Sequence, residues 1–153
     1  MTGNPERTVV AKRVDAGEAD TDEITELARA AGYAVEEIVT QTRTEDPAYH
    51  FGEGKVETIA EHVIRTDATA VIVDNELGPY QTFNIGNKLP KGVRVIDRFR
   101  LILEIFAQRA QTRKAQLQVE LAQLRYELPR AEAKASLAKR DERPGFMGLG
   151  EYD

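Results

Sequence analysis

The 153-residue sequence contains no cysteine, which excludes disulfides and thiolate chemistry. No apolar run approaches the length of about 18 residues that a membrane span needs, and the polar N-terminus shows no secretory leader. Histidine is scarce. His50 and His62 fall on a loop and a helix, and neither belongs to a metal-ligand spacing. No G-x-S-x-G elbow, internal repeat or low-complexity tract occurs, so no catalytic constellation stands out. What remains is 41% apolar residues, enough for one core or a small core with an appendage. The composition is that of an ordinary soluble, cytoplasmic chain.

The net charge of −5 would ordinarily argue against nucleic acid, but it is unevenly distributed. Residues 1–97 carry 10 Lys+Arg against 18 Asp+Glu, whereas residues 98–153 carry 11 against 8. An acidic body is followed by a basic segment.

The first part alternates strands and helices. Thr8–Arg13 reads as a strand. Asp20 or Thr21 is placed to cap a helix over Asp22–Ala31, with Glu23 set for a capping box, and Gly32 follows where a left-handed residue is wanted. Tyr33–Thr40 is a second strand, and a loop punctuated by Pro47, Gly52 and Gly54 leads to a helix over Lys55–Arg65. In that helix Val56, Ile59, Ala60, Val63 and Ile64 share one side. Thr69–Asp74 is an apolar run suited to a strand buried on both faces. A short helix around Tyr80–Lys88 and a fourth strand, Val93–Asp97, complete the pattern. Strands separated by helices imply right-handed crossovers and a mostly parallel sheet.

From Asp97 to Arg130 the sequence has no glycine, and no proline before Pro129. Apolar residues recur at helical spacing: Leu103, Phe106, Ala110, then Leu117, Leu121, Leu124 and Leu128. One uninterrupted helix from Arg98 to Leu128 would measure about 45 Å, against a radius of gyration of about 15 Å for a compact domain of this size. The expected architecture is therefore α/β: a small, mostly parallel four-stranded sheet over residues 1–97, then a long protruding helical arm over 98–140. The proximal half of the arm, Leu101 to Ala110, should pack on the sheet. Pro129 should break the arm or kink it near residue 125. Residues 141–153 read as a flexible, glycine-containing loop.

Two glycine clusters invite a ligand. Gly52-Glu53-Gly54-Lys55 opens a helix and could hold an anion on free N–H groups and the Lys55 ammonium, or could simply cap the helix. It is not a Walker loop: Tyr49 stands where an earlier glycine is needed, and Val56 where Ser or Thr would hold Mg²⁺. The second cluster, Gly145, Phe146, Met147, Gly148, Leu149, Gly150, lies beside Lys139, Arg140 and Arg143. It suits contact with RNA phosphates and bases, or a disordered tail.

The segments GEGKVETI, VDNELGPYQTFNIGNKL and VIDRFRLILEIFAQRAQTRKAQLQVELAQLRYELPR, in that order, resemble the N-terminal region of HflX-type ribosome-associated GTPases. That resemblance implies a small α/β domain, then a two-helix hairpin, then a G domain. It also implies binding to the large ribosomal subunit in ribosome splitting or rescue, with a glycine-rich hairpin loop directed at the peptidyl-transferase region. By motif, that loop corresponds to Arg140–Glu151, which makes Lys139, Arg140, Arg143, Gly145, Phe146, Met147, Gly148 and Gly150 the RNA-contact candidates. Asp141, Glu142 and Pro144 depart from the glycine-rich pattern.

No G-x-x-x-x-G-K-S/T occurs in the chain. GTP and magnesium are expected only with a G domain, and the chain reads as a fragment, a split gene product or a stand-alone paralogue. The expected partners are the large ribosomal subunit and its RNA. With the hairpin's returning helix absent, the stripe Leu117, Leu121, Leu124, Leu128 is expected to drive self-association. Two other readings remain open: a nucleotide-binding domain using Gly52, Gly54 and Lys55, and a helix-mediated dimerisation module.

Overall fold

The structure, a computed structural model, describes residues 4–142. Four strands and five helices alternate: β1 (Glu6–Val14), α1 (Asp22–Ala30), β2 (Tyr33–Thr42), α2 (Glu53–Thr66), β3 (Ala70–Val73), α3 (Pro79–Asn87), β4 (Arg94–Asp97), α4 (Arg98–Arg109) and α5 (Arg113–Glu142). The sheet order is β2-β1-β3-β4, and every pairing is parallel. The α/β reading of the sequence is therefore correct, and its strands lie within a few residues of the expected positions.

The sheet is covered on both faces. Val9, Ala11, Val39, Val71 and Val73 meet α2, α3 and Phe51 on one side. Val10, Ala70, Ile72 and Ile96 meet α1 and α4 on the other. Ala70-Val71-Ile72-Val73 alternates between these two layers, which is why β3 is apolar without interruption. Leu101 and Ile105 belong to the second layer, so the first part of the anticipated arm is a core helix.

Of the two candidates for capping α1, Asp20 serves and Thr21 does not. No side chain caps α1 from Thr21; instead the Asp20 carboxylate accepts from Asp22 N–H at 2.9 Å. Gly32 does take a left-handed conformation, φ +101°, one residue past the C-cap Ala31. In α2, Val56, Ile59 and Val63 turn inward while Ile64 faces solvent.

The largest correction concerns the long helix. It is two helices. Helical geometry ends at Arg109, Ala110 is extended (φ −72°, ψ 117°), and Thr112 Oγ1 accepts from Ala115 N–H to start α5 afresh. The chain then doubles back. Gln116 Nε2 donates to Ala110 O beside the turn, and some ten residues on in α5 Glu127 reaches Arg100 and Tyr126 reaches Asp97 at the start of α4. The helices are antiparallel and form a turn-linked pair within the described residues. Pro129 does not break α5, which runs through it to Glu142. The proline removes one hydrogen bond, and the residues around it, Leu128 and Arg125 among them, face solvent, where water can serve the freed carbonyl.

The residues of α5 that turn toward the body are Ala115, Val119, Ala122, Tyr126, Arg130, Ala133 and Leu137, at helical spacing. The leucine stripe lies on the opposite face: Leu117, Leu121, Leu124 and Leu128 are 45–62% exposed. The docking face combines three alanines and Val119 with Tyr126, Arg130 and Leu137, while the leucines of the stripe project.

The docking point is Asp97, which is 1% exposed. Its Oδ1 accepts from Arg100 N–H at 3.0 Å, capping α4, and from Tyr126 O–H at 2.9 Å. Its Oδ2 accepts from Leu77 N–H at 3.1 Å, and Arg130 stands 3.7 Å away. Asp97→Ala strips a buried carboxylate from all of these groups and is expected to cost about 3–5 kcal/mol in urea unfolding. Tyr126→Phe removes one hydrogen bond and should cost about 1–2 kcal/mol, with faster amide exchange confined to residues 119–137. Parental stability in Tyr126→Phe would show that this bond holds no net free energy.

Candidate functional site

In an open parallel sheet, ligands bind beyond the carboxyl ends of the strands where the strand order reverses, here between β1 and β3. That crevice is filled by the chain's own side chains. Asn75 extends the ladder: its Oδ1 accepts from Arg13 N–H at 2.9 Å and its Nδ2 donates to Arg13 O at 2.8 Å. Asp74, 6% exposed, is held between Lys12 at 3.0 Å and Arg98 at 2.9 Å, and Arg98 reaches Glu23 of α1 at 2.9 Å. These pairs tie β1, β3, α1 and α4 together where a ligand phosphate would otherwise sit.

Beside the crevice, the loop from β2 to α2 is fastened tightly. Asp46 Oδ2 accepts from Ala48 and Tyr49 N–H, and Asp46 and His50 exchange two backbone hydrogen bonds, which closes the turn around Pro47. His50 takes the left-handed region, φ 68°, and is 2% exposed. Arg13 Nε donates to His50 Nε2 at 3.3 Å, so that nitrogen is an acceptor and the neutral ring carries its proton on Nδ1. Nδ1 lies 3.5 Å from Glu45 Oε2, too far for a good hydrogen bond. Burial holds His50 below its ordinary value, and Arg13 adds to that. Glu45 is in turn bound by Gln81 Nε2 at 2.7 Å, a bond that holds its carboxyl below the usual range and links the loop to α3.

The first glycine cluster lies at the end of this loop. Gly52 N–H donates to Gln41 Oε1, and Glu53 in the first turn of α2 pairs with Lys88 at 3.1 Å. Val56 is fully buried. The loop thus has no hydroxyl for Mg²⁺, its leading amide is spent within the fold, and a carboxylate already occupies the helix N-terminus. These residues do not fit a Walker-type GTP–magnesium site. Gly52, Gly54 and Lys55 are neighbours at the start of α2, but none lines the main cavities. Among the described residues no cluster of three or more His, Asp or Glu could hold a metal.

The principal open surfaces lie around α5. A cavity of about 740 Å³ opens between the N-terminus of α3 and α5, lined by Tyr80, Gln81, Asp97, Phe99, Tyr126 and Arg130. Tyr80 and Phe99 are exposed at its rim. Phe99 stacks on Tyr126, and the Arg130 guanidinium lies 3.7 Å from the Tyr126 ring centre. Burial, then the Asp97 carboxylate, raises the Tyr126 hydroxyl above its ordinary value, which keeps it protonated as the donor to Asp97 at neutral pH. Sequence reading missed this cluster, for which the only signal was an aromatic and an arginine four apart on the face opposite the leucine stripe.

Of the second group of candidates, Lys139 is exposed near the end of α5. Arg140 belongs to the α5 backbone, and Arg143, Gly145, Phe146, Met147, Gly148 and Gly150 lie outside the described residues.

Comparisons with known proteins agree with this anatomy. Residues 18–107 match the family model for the N-terminal domain of GTP-binding GTPases, and residues 109–153 match the middle region of the same proteins. The boundary falls beside the α4–α5 turn. A GTPase HflX of Methanocaldococcus jannaschii is 48% identical over 132 residues, covering 86% of this chain and 32% of the relative. A GTPase HflX of Escherichia coli is 45% identical over 108 residues, 70% of this chain and 25% of the relative. Among solved structures, a GTP-binding protein from Sulfolobus solfataricus in complex with GDP superposes with a TM-score of 0.65 at 28% identity, covering 88% of this chain and 42% of that one. The chain thus spans less than half the length of these relatives.

The fastening of His50 predicts an acid-sensitive fold. A folded pKa below the unfolded value of 6.5 means that the unfolded state binds the proton first, so stability is full above pH 6.5 and falls as pH drops toward the depressed value. Thermal melts between pH 7.5 and 5 should show this decline in the parent and a smaller one in His50→Gln. Equal pH slopes would remove His50 as the cause.

Proposed function

The chain belongs to the HflX-type family of GTP-binding GTPases, and from that membership we propose that it is the ribosome-docking N-terminal module of such a protein. In this reading it binds the large ribosomal subunit in the cytoplasm, in the service of ribosome splitting or rescue. GTP and magnesium are handled by a G domain outside the 153 residues. The observation that carries the reading is a crevice closed by the Asn75–Arg13 and Lys12–Asp74–Arg98 contacts. A parallel sheet whose ligand position is filled by its own side chains acts through its outer surface. In sequence the most basic stretch is residues 98–153, which includes Lys134, Lys139, Arg140 and Arg143, whereas residues 1–97 are acidic. These cations, with Gly145, Phe146, Met147, Gly148 and Gly150, contact ribosomal RNA.

Co-sedimentation with purified large subunits at 50 to 200 mM salt tests this. Binding should fall steeply with salt, and the triple variant Lys139→Glu, Arg140→Glu, Arg143→Glu should lower the slope of log K on log salt by about 2–3. Binding that is unchanged in the triple variant would sink the assignment of this segment.

The leucine stripe supports a second element of the proposal. Four leucines spaced 4, 3, 4 on one exposed face make an apolar patch of several hundred Å². The 153-residue chain covers it by self-association, as a two-fold helical seam. In sedimentation equilibrium the weight-average mass should rise above 17.1 kDa with concentration in the parent and stay there in Leu121→Glu with Leu124→Glu. A concentration-independent parental monomer with protected amides over 117–128 would refute it.

A further inference from the structure

The two margins of the sheet are treated differently. The β2 margin is long but guarded. It carries Glu36 and Glu37, the latter paired with Arg65 at 3.2 Å, and its register against β1 shifts between Thr8 and Val9. Charges and bulges of this kind keep another strand from adding to an edge. The β4 margin has no bulge, and its one exposed charge, Arg94, is paired within the fold with Glu6 and Glu104. Arg94 N–H donates inward to Thr69 O. Successive residues of a parallel strand alternate in direction, so the N–H and C=O of Val95 point away from β3. β4 is the last strand of the described sheet, so no further strand pairs with them.

This open edge lies on the floor of a recess of about 900 Å³. One wall is Phe83 and Gly86 of α3. The other is Arg100 of α4, and Ala131 and Lys134 of α5 close over one end. Five cations line the recess against a single carboxylate, Glu127. Arg94, Arg100 and Arg130 are balanced by Glu6, Glu104, Glu127 and Asp97. Lys91 and Lys134 form no ion pair among the described residues, and Arg130 Nε is buried without a hydrogen-bond partner. The body as a whole is acidic, so this positive recess is local.

We propose that the recess receives an extended acidic peptide segment, which adds beside β4 as a fifth strand and sets its carboxylates against Lys91 and Lys134. The unpaired Val95 amide and carbonyl call for the backbone of another strand, about 4.8 Å away. Aliphatic Val93 and Val95 and the small Gly86 and Ala131 leave room for apolar side chains at alternate positions. A nucleic-acid strand would satisfy the lysines but not the edge, and the one ring lining the recess, Phe83, is half-buried and offers no stacking platform.

The probe is a fluorescein-labelled hexapeptide alternating valine with glutamate, read by anisotropy on the 153-residue chain. Its lysine-for-glutamate counterpart and hexauridylate serve as the other two arms. The acidic peptide should bind and slow amide exchange at Val95. Lys91→Glu with Lys134→Glu should weaken it about tenfold or more. Val95→Pro should do the same, because proline is tolerated where a strand's N–H points outward. If Val95→Pro fails to fold, the lysine variant and the Val95 exchange rate decide. Failure of the acidic peptide to bind, equal binding of the basic peptide, preferential binding of hexauridylate, or binding that leaves Val95 exchange unchanged overturns the proposal.

Discussion

The rest of the structure depends on one buried carboxylate. Asp97 ends β4, caps α4, fixes the loop into α3 through Leu77 N–H and anchors α5 through Tyr126. A carboxylate at 1% exposure survives only if its oxygens are saturated, and each donor here comes from a different element. The geometry of one side chain therefore sets the mutual placement of a strand and three helices. Arg130 completes the arrangement from the far side. It stacks on Tyr126, donates to Leu77 O at 2.6 Å and lies close enough to Asp97 to share its charge. A helix docked through mostly small residues needs such a polar anchor, because alanines bury too little area to hold it alone.

The sheet was legible because its signals are local. An apolar run and Gly32 after a helix each act within a turn of chain, and each was read correctly within a residue or two. The division of α4 from α5 was not legible. The junction, Gln108 to Arg113, has neither glycine nor proline, and Thr112 is its only start signal. What ends α4 there is tertiary: the Tyr126–Asp97 and Arg100–Glu127 contacts hold α5 against α4, and the chain must reverse to make them. The exposed leucine stripe of α5 was legible from its spacing, but the docking face was not. Periodicity picks out the large leucines, whereas docking uses Ala115, Ala122 and Ala133 because close helix approach requires small side chains. Pro129 misled because its penalty was applied without regard to exposure.

The candidate site was less legible than the fold. Asn75 sits in a motif that marks the family, yet nothing local says that its amide completes a strand ladder across the crevice. His50 looked like an ordinary loop histidine, and only the fold shows it buried against Arg13 in a left-handed conformation. The glycine cluster looked like a ligand loop, and nothing local says that its first amide is committed to Gln41 and its Val56 to the core.

These features have a common consequence. Three polar devices that would serve a ligand in another α/β domain — the crevice, the β2–α2 loop and the N-terminus of α2 — are spent here on internal fastening. The body becomes a rigid mount. Its anchored helix presents two unlike surfaces: a leucine face turned outward and, where α5 crosses the β4 margin, a basic recess over an open strand edge. A module of this kind communicates by what it docks against. The coincidence of the α4–α5 turn with the boundary between the two family models follows from the same division of labour. The body ends where its core is complete, at Ile105, and α5 begins a second unit whose free leucine face has no counterpart among the described residues.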